Sequence, residues 1–365
     1  MRKYFTTNEY KRRNTLQAVA SLKRSISSKR KKKLRNTGLL VLRTSASGFE
    51  QQGLNRNKKI NERKPAALAP SDLRLIENTT GCLEFFRDLR SDDYLSRKGN
   101  FKYVIMSLHD ITQIDYGTIS ILTALNDEFN QKRIFLKTLL PANVTCRQFM
   151  IESGYLNNLF DDSGKPFPKS TVSELIFFEK GSGILSELDN RKISQLIKHV
   201  VEHLTGISEY SLPVKTVILE VCGNSIEWSG TDSRQWLLGV KYEPNRVIFT
   251  VTDVGRGILD TLYRRFTKKF FETFRSADYI LKGAFEQKYG STTQESNRNK
   301  GLPAVKANHE LGLLKNLKVL TNNVILHFDS DEQSKTFNRG SARFKGTFYQ
   351  WEMDKKCLTI LNKEI

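Results

Sequence analysis

The chain has 365 residues and a mass of 42.0 kDa, which at roughly 100–200 residues per domain predicts two domains with extensions. Its formal net charge of +20 is concentrated at one end. Residues 1–66 hold 19 Lys/Arg against 3 Asp/Glu (+16), and the remaining 299 hold 40 against 36 (+4), which excludes a uniformly basic nucleic-acid clamp. Hydrophobic residues make up 38% of the chain, enough for a core, yet no apolar run approaches the roughly 18–20 residues that span a bilayer. The start, MRKYFTTNEYKRR, lacks the apolar stretch of a secretory signal. Cys82, Cys146, Cys222 and Cys357 are scattered without a CxxC pair, so neither a zinc site nor a disulfide framework is indicated. A reducing cytoplasm is the simplest compartment.

Residues 1–66 read as a basic arm. Leu16, Val19, Leu22 and Ile26 recur at helical spacing, and Lys29–Lys33 is a block of five like charges that repel one another. A solvated tail and an arm that contacts RNA or DNA phosphates both fit this pattern; an anionic membrane surface suits the narrow apolar face less well. The polar, Pro-ended stretch that follows reads as a linker.

Residues 67–162 alternate between helix and strand patterns. Apolar strands are predicted at Tyr103–Leu108 and Ile134–Leu140. Helices are predicted at Tyr116–Gln131, with Ile119, Leu122, Leu125 and Phe129 on one face, and at Asn143–Gly154, closed by glycine. This order predicts an α/β domain. YVIMSLHDITQIDYGTISILTAL followed by RIFLKTLLPANVTCRQFMIESGYLNNLF resembles a STAS domain, the fold of anti-anti-sigma factors. The resemblance implies a docking role toward a protein partner. Aligned on Asp115, the family's phosphoacceptor serine falls on Gly117, and neither Tyr116 nor Thr118 matches it. Residues 163–186, punctuated by Pro, Gly and Ser, are expected to form the linker to a second domain.

The second domain, residues 187–355 with a 356–365 tail, opens on an amphipathic helix at Asp189–Leu204, with Ile193, Leu196, Ile197 and Val200 on one face. A helix over Pro213–Trp228 follows, in which Glu220, Asn224 and Glu227 share a face. An amide oxygen can ligate a hard cation and a carboxylate can take a proton from a nucleophile, so this face suits magnesium and phosphate chemistry. Gln235–Tyr242 and Arg246–Asp253 alternate around an EPN turn and predict a hairpin. Its second strand ends in Asp253-Val-Gly255-Arg-Gly257-Ile258, where glycines let the backbone pass close to a ligand and Asp253 can accept from an exocyclic amine. Lys282–Lys300 reads as a long polar loop. It leads into Gly301-Leu-Pro303, whose exposed N–H groups at a helix start suit an anion. Lys345-Gly-Thr347-Phe opens a last strand. Phe348 and Trp351 read as core, and Phe266–Phe274 as aromatics that pack a lid helix. His199 and His203, four apart without an evident third ligand, read as surface or core histidines rather than a metal pair.

Taken in order, E-x-x-x-N-S-x-E, D-x-G-x-G-I, the polar loop, K-G-L-P and G-T-F resemble the Bergerat-fold ATP-binding domain of the GHKL superfamily, over roughly residues 185–353. The pattern resembles the anti-sigma kinase and mismatch-repair branches of that superfamily. The fold expected is therefore α/β (α+β), a STAS-like domain followed by a Bergerat sandwich. The resemblance implies ATP and Mg²⁺ as ligands. It implies that Asn224 ligates Mg²⁺, that Asp253 binds adenine, and that Gly255 and Gly257 shape the pocket floor. Gly301 would lie against the phosphates, and Thr347 would sit behind Asp253, holding a water bound to adenine. Glu220 takes the place of the general base of the hydrolysing and serine-phosphorylating branches, which histidine kinases commonly lack. In the second glycine box, Asn299-Lys300-Gly301-Leu302 lacks the family's first glycine. The pairing implies a regulatory protein that switches protein partners with nucleotide state. A serine/threonine kinase of anti-sigma type, a non-hydrolysing scaffold and a homodimer stay open.

Overall fold

The computed structural model describes residues 63–168, 176–182, 186–228, 235–265, 276–288, 301–338 and 340–361. The basic block Lys29–Lys33 and the Phe266–Phe274 aromatics lie outside the described residues. In chain order the elements are β1 (Ala67–Leu68), β2 (Asp72–Leu73), α1 (Thr79–Leu89), β3 (Leu95–Lys98), β4 (Phe101–Ser107), β5 (Gln113–Ile114), α2 (Tyr116–Gln131), β6 (Ile134–Leu139), α3 (Val144–Glu152), β7 (Phe160–Asp161) and β8 (Ile176–Ser182). They continue with α4 (Glu187–Thr205), α5 (Leu212–Trp228), β9 (Gln235–Glu243), β10 (Arg246–Asp253), α6 (Ile258–Arg265), α7 (Ala277–Phe285), α8 (Gly301–Glu310), β11 (Lys315–Asn322), β12 (Val324–His327), β13 (Lys335–Thr336), β14 (Phe344–Asp354) and α9 (Lys355–Leu361).

The chain is a mixed α and β protein with parallel and antiparallel sheets. In the N-terminal lobe, β1, β4, β6 and β7 run parallel in that order, and β3 pairs antiparallel with β4. Local chemistry sets the helix starts. The Asp115 carboxylate caps α2 by accepting from Thr118 N at 2.7 Å, and Asn143 caps α3 by accepting from Cys146 N at 3.0 Å. Gly154, at φ 69°, supplies the left-handed turn after α3.

The C-terminal lobe is an antiparallel seven-stranded sheet in the order β13-β12-β11-β14-β10-β9-β8. Period-two alternation divides its side chains between two cores. Val247, Phe249, Val251, Tyr349 and Trp351 face the helices α4 to α9. Leu320, Ile325, Phe344 and Phe348 face the other way and share one core with α1 and α2. Both sheet faces are therefore covered. A buried polar seam runs through the second contact: Ser120 Oγ lies 2.8 Å from Thr252 Oγ1 and accepts from Thr250 Oγ1 at 3.1 Å. A Cβ on Gly117 would come within 3.1 Å of the Phe348 ring and 3.2 Å of Gln350 Oε1, so the start of α2 seats closely on the sheet because that position has no side chain.

Three expectations are corrected. The 163–186 stretch is not purely a linker, because Ile176–Ser182 forms the edge strand β8 and pairs with β9. The polar loop expected from Lys282 begins later, since α7 runs through Phe285. The expected tail carries a helix through Leu361, with Cys357 fully buried. In each case pairing or core contact across the sheet overrides a polar or punctuated local sequence.

Candidate functional site

Asp253 is the last residue of β10 and pairs in register with Thr347 on β14. It is in phase with Val247, Phe249 and Val251 along β10, so its side chain points to the helix-covered face. Its exposure is 1%. Oδ1 accepts from Gly255 N at 2.9 Å, whereas Oδ2 is buried with no hydrogen-bond partner among the described residues. Burial pushes this carboxyl up to about 7; the Gly255 hydrogen bond and the polar groups of neighbouring Thr347, and then the Arg90 charge, pull the other way. Such a buried, half-satisfied carboxyl is costly unless something donates to it. The Tyr349 hydroxyl, on the same face of β14, is likewise buried and without a partner among the described residues. Burial, with the Asp253 charge added, holds it well above its ordinary value.

The turn after Asp253 is fixed by two residues that the sequence reading did not single out. Thr321 Oγ1 accepts from Ile258 N at 2.9 Å and donates to Gly346 O at 3.0 Å. Asn322 Nδ2 donates to Arg256 O at 2.7 Å, and its Oδ1 accepts from Asp260 N at 3.2 Å. Gly257 has φ 86°, and a Cβ there would lie 2.6 Å from Asn322 Oδ1 and 2.7 Å from Thr321 Oγ1, so only glycine fits. Gly346, at φ 147°, lies so close to the Asp253 carbonyl that any Cβ would overlap it. A polar Thr-Asn pair at a strand end carries no signal of its own; it gains meaning only through pairing with β14.

The structure brings Asp253, Gly255, Gly257 and Thr347 together at one end of the central strands. Thr347 is buried, with its hydroxyl 3.5 Å from that of Thr321. Glu220 and Asn224 lie one turn apart on α5, with Glu220 half-buried; the Asn224 side chain lies outside the described residues. The helix α8, which opens at Gly301, packs against α5. Three of the expected motifs thus sit on neighbouring elements. Residues 289–300, most of the expected loop, lie outside the described residues.

Among the described residues, no group of three or more His, Cys, Asp or Glu could hold a metal ion. His203 Nε2 lies 2.8 Å from the Glu243 carbonyl, which can only accept, and its ring meets Tyr242 edge-on at 5.0 Å, a structural role. Phe348 and Trp351 are buried, and Trp351 stacks on Phe249 at 5.1 Å. Among the described residues no helix is long and apolar enough to cross a membrane. No family model matches the chain, and no curated protein is significantly similar to it.

Proposed function

We infer that the chain binds Mg-ATP in a Bergerat-type site of the GHKL superfamily and uses binding and slow hydrolysis to switch protein contacts. The observation that carries this reading is Asp253 Oδ2, a buried carboxylate oxygen without a partner among the described residues, at a strand end beside a turn that only glycine can make. The exocyclic amine of adenine is a donor of the kind this oxygen lacks. Thr347, paired across the ladder from Asp253, would support the same edge of the base. Gly255 and Gly257 would let the turn approach it. Gly301 would present backbone N–H groups of α8 to the phosphates. Mg²⁺, held by Asn224, would neutralise phosphate charge. Glu220 would accept the proton of the attacking hydroxyl, since water and serine are poor nucleophiles without a base.

The close seating of Gly117 on the sheet favours hydrolysis over phosphorylation of this chain's own N-terminal lobe, because the family's phosphoacceptor position is walled in. The test is turnover of γ-labelled ATP with Mg²⁺, separating free phosphate from labelled protein, for the wild type and Glu220→Ala. Free phosphate lost in the variant is the expected result. Label on an added protein partner would replace the ATPase with a kinase. ATP bound without turnover in either form would leave a nucleotide-gated scaffold. Absence of ATP binding by the wild type would refute the reading.

A further inference from the structure

Arg90 stands where α1 ends. Its side chain is only 12% exposed and its guanidinium uses both edges. On one edge, Nε and Nη2 hold Glu128 Oε2 of α2 at 2.8 and 2.6 Å. On the other, Nη1 donates to the Lys345 carbonyl at 3.1 Å and Nη2 to the Val254 carbonyl at 3.3 Å. Those two carbonyls have a particular place. Asp253 and Thr347 are the last pair of the β10–β14 ladder. Val254 directly follows one, and Lys345 stands two before the other. Just beyond the last pair, the guanidinium fork donates to one carbonyl from each strand and ties the two backbones together. The contacts span 164 and 255 residues of sequence and join the N-terminal lobe to the back of the turn that carries Asp253, Gly255 and Gly257.

We propose that Arg90 is a positioning residue of the nucleotide site, supplied by the N-terminal lobe: it holds the Asp253 turn against β14, so that ATP affinity depends on how that lobe is seated. The inference rests on the ATP-binding reading of Asp253. It also gives the covered sheet face a purpose. A protein that draws α1 or α2 away from the sheet would release two backbone contacts at the site without touching the nucleotide. Lysine does not reproduce the fork, because its donors radiate from a single nitrogen instead of spreading along two edges of a planar group.

The test uses the full chain with Arg90→Met, Arg90→Lys and Glu128→Gln, measuring Mg-ATP affinity, thermal stability and backbone hydrogen exchange over residues 253–258 and 344–347. Arg90→Met is expected to weaken ATP binding by roughly ten-fold, the loss of about one charge-assisted hydrogen bond, with faster exchange in both segments. Arg90→Lys should recover part of both. Glu128→Gln should lower stability while leaving Arg90 on the carbonyls, so its ATP affinity falls less than that of Arg90→Met. The proposal is overturned if Arg90→Met, or Arg90→Lys where the methionine variant does not fold, leaves exchange unchanged. It is also overturned if Arg90→Met and Glu128→Gln lower stability alike with ATP affinity kept within about two-fold, a plain interface ion pair. A wild type that binds no ATP sinks the nucleotide reading instead; the clamp on the turn then stands on faster exchange in the variant and falls without it.

Discussion

Replacing Asp253 with Asn is expected to stabilise the fold near neutral pH while abolishing ATP binding. Burial places the folded-state carboxyl near 7, against an ordinary 3.8. Below pH 3.8 the group is protonated in both folded and unfolded chains and contributes no difference. Between 3.8 and 7 the unfolded chain gives up its proton while the folded one keeps it. Stability therefore falls as pH rises through this window, by about 4 kcal/mol in all at roughly 1.4 kcal/mol per pH unit. Asparagine keeps an acceptor for Gly255 N but adds an amide donor where Oδ2 has no partner, a cost of about 1–3 kcal/mol. The net gain above pH 7 is about 1–3 kcal/mol, or roughly 2–6 °C in Tm for a unit of this size. At pH 4.5 the wild type has lost only about 1 kcal/mol, so the gain is gone and the variant is at best equal to it in stability. The assay is Tm of wild type and variant from pH 4.5 to 7.5, read as the difference between them so that other titrating groups cancel. A difference that does not change with pH would refute the argument, because the burial cost of the charge would then not exist. A variant that is more stable at pH 7.5 and blind to ATP is what a site keeping a costly group for binding predicts.

Gly257→Ala should cost at least about 1–3 kcal/mol, since it meets both a left-handed backbone and the Asn322 and Thr321 side chains; chemical denaturation measures the loss, and ATP affinity should fall with it. Gly117→Leu should gain slightly in helix propensity yet lose about 1–3 kcal/mol by overpacking against Phe348 and Gln350; a stable variant would mean that α2 does not seat on the sheet in solution. Thr321→Val removes the acceptor for Ile258 N and should cost about 1–3 kcal/mol for the orphaned donor, with the loosened turn visible as faster amide exchange at Ile258.

Much of the local structure was legible because its causes are local. The hairpin around residues 243–246 follows from alternation with a turn between, and α2 follows from its apolar spacing after Asp115. The strand-end Asp253 with Gly255 and Gly257 gains its meaning only from its order among the other short motifs, since an acidic strand end followed by glycines is common by itself. The strand at Ile176–Ser182 was hidden because its partner β9 lies some sixty residues away and its flanks are rich in Pro, Gly and Ser. Thr321, Asn322 and Arg90 gave no signal, since each acts on groups brought near only by sheet pairing or by the packing of the two lobes.

The sequence alone determined the concentration of charge in the first 66 residues, the mixed helix and strand content, and the acidic and glycine residues placed together at the end of Arg246–Asp253, because periodicity, capping and glycine chemistry act over a few residues. Only the tertiary structure decided that the sheet is covered on both faces, with the start of α2 against Phe348, and that Asp253 is left with one buried oxygen lacking a partner among the described residues. Those features depend on which side chains meet across strands and lobes, and burial and hydrogen-bond satisfaction are properties of that meeting rather than of any segment.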